Sequence, residues 1–278
     1  MKLPDKPRAV ITGAASGLGR ALALNLAARG GRILVCDVNA DRSAETAKLV
    51  VAAGGTAEVL HCDVTAATDL ERAAAEADRL WGGTDLLVNN AGVAGAGEIG
   101  TIPLEDWDWI LRVNLWGVIH GCHVFIPKMK AQGHGAILNI ASSAGIACLP
   151  EMGSYNVTKA GVIALSETLY AELRPARIGV AVLCPTFFAT NLLESFRSPS
   201  TRQRKLAEEM FRRSKVTAEE VAEAGIRGLE RGKLVIIPQA DGTWIWRTKR
   251  AVPGLYHRLL GRRNSALAAR LGLDPTRA

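Results

Sequence analysis

"RAVITGAASGLGR", residues 8–20, decides how the rest of the chain is read. It opens as a short β-rich run, Arg8 to Thr12. Three glycines, Gly13, Gly17 and Gly19, then lead into the helical pattern "RALALNLAARG" at 20–30. Glycines at a strand-to-helix turn permit tight turning and close backbone approach. The helix N-terminus behind them offers free N–H groups to a pyrophosphate. Ser16 and Leu18 lie inside the turn and join the glycines as candidate cofactor contacts. Alone such a turn is a weak sign, but it stands here after a first strand and before an amphipathic helix, the context a nucleotide site requires.

Working outward, six more apolar, β-rich runs follow: "RILVCD" (32–37), "TAEVLHCD" (56–63), "DLLVNNA" (85–91), "GAILNIAS" (135–142), "IGVAVLCP" (178–185) and "KLVIIP" (233–238). Most are continuous rather than alternating, as strands covered on both faces are. Helical patterns such as "DLERAAAEADRLWG" (69–82) separate them. Strand–helix alternation predicts an α/β fold with a doubly wound parallel sheet and right-handed crossovers. The 278 residues suit one domain, expected over 1–238, followed by a basic extension, 239–278.

In such a sheet, ligands meet the carboxyl ends of strands. Asp37 ends the second strand run, where an acidic side chain accepts hydrogen bonds from adenosine ribose hydroxyls and repels a 2′-phosphate. No Lys or Arg follows it until Arg42, so NAD is favoured over NADP; a plain strand-end or capping aspartate is the alternative. Asp63 and Val64, after the third run, suit an adenine edge and face. "NNAG" (89–92) offers Asn90 to tie neighbouring strands, with Ala91 and Gly92 letting the backbone approach a cofactor. Each alone reads as ordinary loop chemistry; their shared position gives them weight.

Net charge is +7, but residues 195–215 carry +5 and 239–278 carry +6, leaving the body at −4. The five cysteines are scattered without a CxxC, which suggests reduced thiols in a cytoplasmic protein. The N-terminus has no apolar signal-like region, and no uninterrupted apolar stretch approaches 18 residues. Of the five histidines only His120 and His123 have a ligand-like spacing, and they fit a structural helix, so no metal is expected.

"GSYNVTKAG" (153–161) sets Tyr155 and Lys159 four apart among small residues. On a helix they share a face. An ammonium beside a phenol lowers a pKa normally near 10 and makes the phenol a usable acid or base. An isolated pair of this kind is more often surface chemistry.

The ordered set TGAASGLG (12–19), Asp63, NNAG (89–92), Asn114 in "VNLWG", Ser142 in "NIASSAG" and YNVTK (155–159) resembles the short-chain dehydrogenase/reductase family over about residues 7–238. The resemblance implies a Rossmann-type fold and hydride transfer between NAD(H) and a secondary alcohol or ketone. It implies that Tyr155 is the acid/base, that Lys159 lowers its pKa and holds the nicotinamide ribose, that Ser142 bonds the substrate oxygen, and that Asn114 holds a water on Lys159. Ser143 competes with Ser142, which lies thirteen residues before Tyr155, the family's usual interval. One departure stands out: Thr186 follows Pro185 where the family has glycine. Pro185 and Thr190 remain expected cofactor contacts, with altered loop geometry or an intruding side chain at Thr186.

The substrate pocket is expected from Val93 and Ala94, from 146–152 and from 187–211, with 195–215 as a lid. These segments are rich in Leu, Met and Phe and favour a lipophilic substrate. The tail, "TWIWRTKRAVPGLYHRLLGRRNSALAARL" (243–271), mixes aromatics with seven Arg/Lys. It could pack on the body, cap the pocket, or meet an anionic membrane surface; nothing in it resembles a nucleic-acid module. The resemblance also implies a homo-oligomer, a tetramer through 161–173 or a dimer. Two other readings are a catalytically silent NAD sensor, which has no need of Tyr155, Lys159 and Ser142 together, and a sugar-nucleotide epimerase, for which the chain has too few residues after the sheet.

Overall fold

Each apolar run becomes a strand: β1 (Arg8–Thr12), β2 (Arg32–Asp37), β3 (Thr56–His61), β4 (Leu86–Asn89), β5 (Gly135–Ile140), β6 (Ile178–Leu183) and β7 (Val235–Ile236). In a computed structural model describing residues 2–260, they form one parallel sheet in the order β3-β2-β1-β4-β5-β6-β7. The chain order reverses between β1 and β4, so the crevice for a ligand opens there, at the strands' carboxyl ends. The strands are shorter than the sequence runs at that end. Asn90, Ser142 and Pro185 leave the ladder and turn toward the crevice.

The helices are α1 (Gly17–Ala27), α2 (Ala40–Ala52), α3 (Ala67–Trp81), α4 (Leu104–Leu111), α5 (Gly117–Gln132), α6 (Ala144–Ala147), α7 (Gly153–Leu173), α8 (Thr201–Arg213), α9 (Ala218–Glu230) and α10 (Ala240–Ala251). One face of the sheet packs Ile11, Val35 and Leu138 against Leu22 and Leu26 of α1 and Val221 and Ile226 of α9. The other packs Val10, Leu34 and Ile137 against Leu70 of α3 and Phe125 and Met129 of α5. Each such side chain contributes roughly 1.5–3 kcal/mol when fully buried. Every residue of β4 and β5 is buried, whereas β3, at the sheet edge, leaves most of its residues exposed. At the end of the sheet away from the crevice, Arg8 makes a two-pronged pair with Asp85, Nε to Oδ2 at 2.9 Å and Nη2 to Oδ1 at 2.6 Å.

A π-helical turn, Arg112–Trp116, joins α4 and α5 into one helix, Leu104–Gln132. Its 29 residues are long and apolar enough to cross a membrane, yet α5 lays Cys122, Phe125 and Met129 into the core. The described part of the tail folds back on α6. Lys249 Nζ donates to the Ile146 carbonyl at 2.6 Å, and buried Tyr256 donates its hydroxyl to the Ala147 carbonyl at 3.1 Å. The remainder of the tail sequence, 261–278, lies outside the described residues.

Candidate active site

A buried polar chain fixes α7 beside the sheet. Asn89 Nδ2 donates to Asn139 Oδ1 at 2.9 Å, Asn139 Nδ2 to Ser166 Oγ at 3.0 Å, and Ser166 Oγ to the Val162 carbonyl at 2.7 Å. The turn carrying Ser142 approaches α7 closely because residue 145 is glycine: a Cβ there would stand 2.5 Å from the Lys159 carbonyl carbon. Tyr155 and Lys159 are both buried on one face of α7. Lys159 Nζ donates to the Ile140 carbonyl at 2.9 Å and lies 5.7 Å from the Tyr155 ring centre. Ser142 Oγ hydrogen-bonds Tyr155, accepts from Ala144 N at 3.1 Å and donates to the Pro185 carbonyl at 3.5 Å.

The electrostatics correct one expectation. Burial pushes the Tyr155 phenol up to about 12, with the Ser142 hydrogen bond opposing it. Burial lowers Lys159 to about 8, partly offset by Cys184. In the chain by itself Lys159 therefore does not pull Tyr155 below its ordinary value. Desolvation acts on both groups, and the ammonium gives its short contact to Ile140 rather than to the phenol oxygen.

Asn114 lies in the π turn Arg112–Trp116. The π turn aims its amide at Val93, whose N–H it accepts at 2.8 Å and whose carbonyl it bonds at 2.9 Å; Nδ2 also reaches Thr158 Oγ1 at 3.3 Å. The side chain is thus committed to the wall behind NNAG. A π turn inside an α-helix is a frequent way to rotate one such residue.

At the glycine turn, Gly13 has φ +64°, and a Cβ there would lie 2.7 Å from Ala91 Cα. Asn90 Nδ2 donates to the Thr12 and Gly13 carbonyls, both at 2.9 Å, and Thr12 Oγ1 accepts from Asn90 N and Ala91 N. Asp37 accepts from Ala15 N and from Asn39 N, each at 3.0 Å. Ser16 makes no side-chain cap and the first turn of α1 holds no acidic residue, so its N–H groups face the crevice without an internal anion.

These pieces line one cavity of about 1310 Å³. Gly13, Ser16, Gly17, Leu18, Asp37, Asn90, Ala91, Gly92, Ser142, Tyr155, Lys159, Pro185 and Thr190 all face it. Four predicted residues do not. Gly19 is a packing position, since a Cβ would collide with the Gly13 carbonyl. Asn114 stands behind the wall. Asp63 accepts from Thr65 N at 2.9 Å, shaping the turn into α3. Val64 packs on Gly117 while its carbonyl bonds His120 Nδ1 at 2.9 Å.

The apolar end of the cavity includes Met152, Leu193, Met210 and the edge-to-face pair Phe187–Phe211, 5.3 Å between centroids. Glu151 anchors α8 over it through Arg202 and Gln203. Asp241, Trp244, Ile245, Tyr256 and Leu260 of the tail also line it, and sequence reading did not assign them individually. The sequence leaves capping of the pocket open as one placement of the tail, and the departure at Thr186 is a second sign. Its φ is not positive, so the loop is not strained. Instead Thr186 N donates to Gln239 Oε1 at 3.0 Å and its hydroxyl to Asp241 Oδ1 at 3.3 Å, tying the loop to the start of α10. Among the described residues no group of three or more His, Cys, Asp or Glu is placed to hold a metal.

Comparison with known proteins agrees with this geometry. Residues 7–201 match the family model described as short chain dehydrogenase. The chain is 33% identical over 241 residues to the probable oxidoreductase EphD of Mycobacterium tuberculosis, a match covering 83% of this chain and 41% of that protein. It therefore spans well under half of that relative's length. It is 37% identical over 204 residues to a D-beta-hydroxybutyrate dehydrogenase of Rhizobium meliloti, covering 72% of this chain and 79% of the relative. A short-chain dehydrogenase/reductase of Burkholderia phymatum, solved in complex with NAD, superposes with a TM-score of 0.87 at 32% identity, covering 92% and 96% of the two chains.

Proposed function

The chain belongs to the short-chain dehydrogenase/reductase family, and from that premise we propose that it transfers a hydride between NAD(H) and an uncharged, lipophilic secondary alcohol or ketone. The observation carrying this reading is the single cavity that joins the glycine turn and Asp37 to Ser142, Tyr155 and Lys159, and these to an apolar end. At about 1310 Å³ it exceeds the roughly 300–1,000 Å³ of a typical one-ligand pocket, leaving room for two molecules end to end.

The residues fit a dinucleotide. The uncapped α1 N-terminus would take the pyrophosphate, Asp37 the adenosine ribose, and Lys159 the nicotinamide ribose. When bound, the cofactor supplies the hydride donor or acceptor and, oxidised, a positive charge beside the phenol. Tyr155 Oη gives its proton to the substrate oxygen in reduction and takes one in oxidation. Ser142 Oγ, oriented by Ala144 N, donates to that oxygen as charge develops.

The charged side chains on the cavity wall are Asp37, Glu151, Glu194, Asp241 and Lys159. Among these described lining residues Lys159 is the one cation, and it sits at the reaction centre. A carboxylate on the substrate would meet no counter-charge at the apolar end, which favours an uncharged substrate. The test is NADH production from secondary alcohols graded from short aliphatic to steroid, with 3-hydroxybutyrate alongside. Turnover rising with apolar size, and at least about tenfold poorer for the hydroxy acid, is expected. Preference for the hydroxy acid would overturn the substrate class; no turnover beside measurable NADH binding would favour a cofactor sensor.

Trp244, Leu255 and Leu259 remain exposed, on a segment that also exposes Arg247 and Arg258. This combination suits an anionic lipid surface, which would bring a lipophilic substrate to the cavity mouth. The full chain is expected to sediment with phosphatidylglycerol vesicles and much less with phosphatidylcholine. Equal recovery with both would remove the membrane from the reading.

A further inference from the structure

Glu194, on the cavity wall, is held by an ion pair to an element far away in sequence. Arg42, in the first turn of α2, holds Glu194, just after the 3₁₀ turn Asn191–Leu193, with both guanidinium arms: Nη1 to Oε2 at 2.6 Å and Nη2 to Oε1 at 3.3 Å. Asn191 Nδ2 donates to the same carboxylate at 2.5 Å, so the loop side is braced. That loop lies over the glycine turn: a Cβ on Gly17 would stand 2.9 Å from Thr190 Oγ1. The hydrogen bond and charge of Glu194 raise the Arg42 pKa, with smaller contributions from Glu45 and then Asp37. Arg20, the other arginine nearby, is already engaged by Glu45, Thr46 Oγ1 and the Ala15 carbonyl.

We propose that Glu194 is a second cofactor-selectivity residue, acting by holding Arg42 away from a 2′-phosphate. This rests on the NAD reading above. Arg42 is the first basic residue after Asp37, and it is tied to Glu194, which lines the same cavity as Asp37. A guanidinium recognises phosphate with two parallel N–H donors. Glu194 takes one N–H from each of the two Nη arms and offsets the guanidinium charge, so a 2′-phosphate meets two carboxylates, Asp37 and Glu194, beside a cation that is already paired. Selectivity is therefore set from both rims of the cleft: Asp37 from the sheet, Glu194 from the loop that closes over it.

The test is fluorescence titration of the full chain with NADH and with NADPH, which needs no substrate. Wild type is expected to prefer NADH. Glu194→Gln keeps the side chain's shape and an oxygen for Asn191 but releases Arg42, and it should lower the NADH-to-NADPH preference about tenfold, chiefly through tighter NADPH. Adding Arg42→Ala to Glu194→Gln should cancel that gain. If Glu194→Gln shifts both affinities equally, Glu194 is only a loop tie and its selectivity role is overturned. If the double variant gains NADPH as the single one does, the route through Arg42 is overturned. A wild type that binds NADPH as tightly as NADH overturns the cofactor reading itself and the Glu194 role with it. A wild type that prefers NADH, with a ratio unmoved by Glu194→Gln, overturns the Glu194 role alone.

Discussion

Tyr155→Phe is expected to lower turnover by about 10²–10⁴-fold, the range for loss of a positioned acid or base, while NADH binding changes little. The substitution keeps the buried ring and its packing and removes one O–H. Ser142 Oγ retains its bonds to Ala144 N and the Pro185 carbonyl, so the remaining site holds its shape. The pH dependence separates the two directions. With burial holding the phenol at about 12 in the cofactor-free chain, Tyr155 carries its proton throughout the neutral range and is ready to donate. Ketone reduction should therefore vary little from pH 6 to 8. Oxidation needs the deprotonated phenol, so its rate should rise with pH, and Tyr155→Phe should lose that rise. Stopped turnover accompanied by a large loss of NADH affinity would assign Tyr155 to binding instead. Undiminished turnover would end the acid/base role.

What could be read in advance divides along a physical line. Continuous apolar runs specify strands by their own composition, and all seven formed in a sheet whose central members are buried. The glycine turn and the i, i+4 pair on α7 are equally local, since spacing along one element fixes which side chains share a face. Features made by distant segments meeting were not legible. Tyr256 and Ile245 reach the cavity only because the tail folds onto α6, and no local pattern states where a terminal helix will dock. The same holds for the bond from Thr186 to Asp241. Asp63 and Val64 stand just past β3, and their side chains serve the α3 turn and the packing of Gly117. The sign of the Tyr155 shift differs from the expectation for a related reason. The pair's spacing suggests attraction, whereas the dominant influence is the depth of burial, which the whole fold decides.

Lys159→Met is expected to remove most activity and yet stabilise the cofactor-free fold at neutral pH. An ammonium that is fully desolvated costs the native state, and its depression from 10.5 to about 8 records that cost. Below pH 8 both native and unfolded chains hold the proton, and the burial penalty is fully present. Between about 8 and 10.5 the unfolded chain binds the proton more tightly than the native one, so this group's contribution to stability rises with pH. Above 10.5 neither holds it and the penalty is gone. Methionine fills much of the same volume without charge. Against the relief, about 3 kcal/mol, stands the lost hydrogen bond to the Ile140 carbonyl, worth about 1 kcal/mol, leaving a net gain on the order of 2 kcal/mol at pH 7. Thermal melts of the cofactor-free protein should show Lys159→Met several degrees above wild type at pH 7, with the advantage gone by pH 10.5. Turnover should fall on the order of 10²–10³-fold, as when one preorganised donor is removed. A variant that melts lower than wild type at pH 7 would show the ammonium to be a net structural support. An advantage that persists unchanged to pH 10.5 would show that packing, rather than charge, produces it. The expected pattern instead marks Lys159 as a cation kept at the fold's expense, which is intelligible only if the charge is used at the Tyr155 phenol and the ribose beside it.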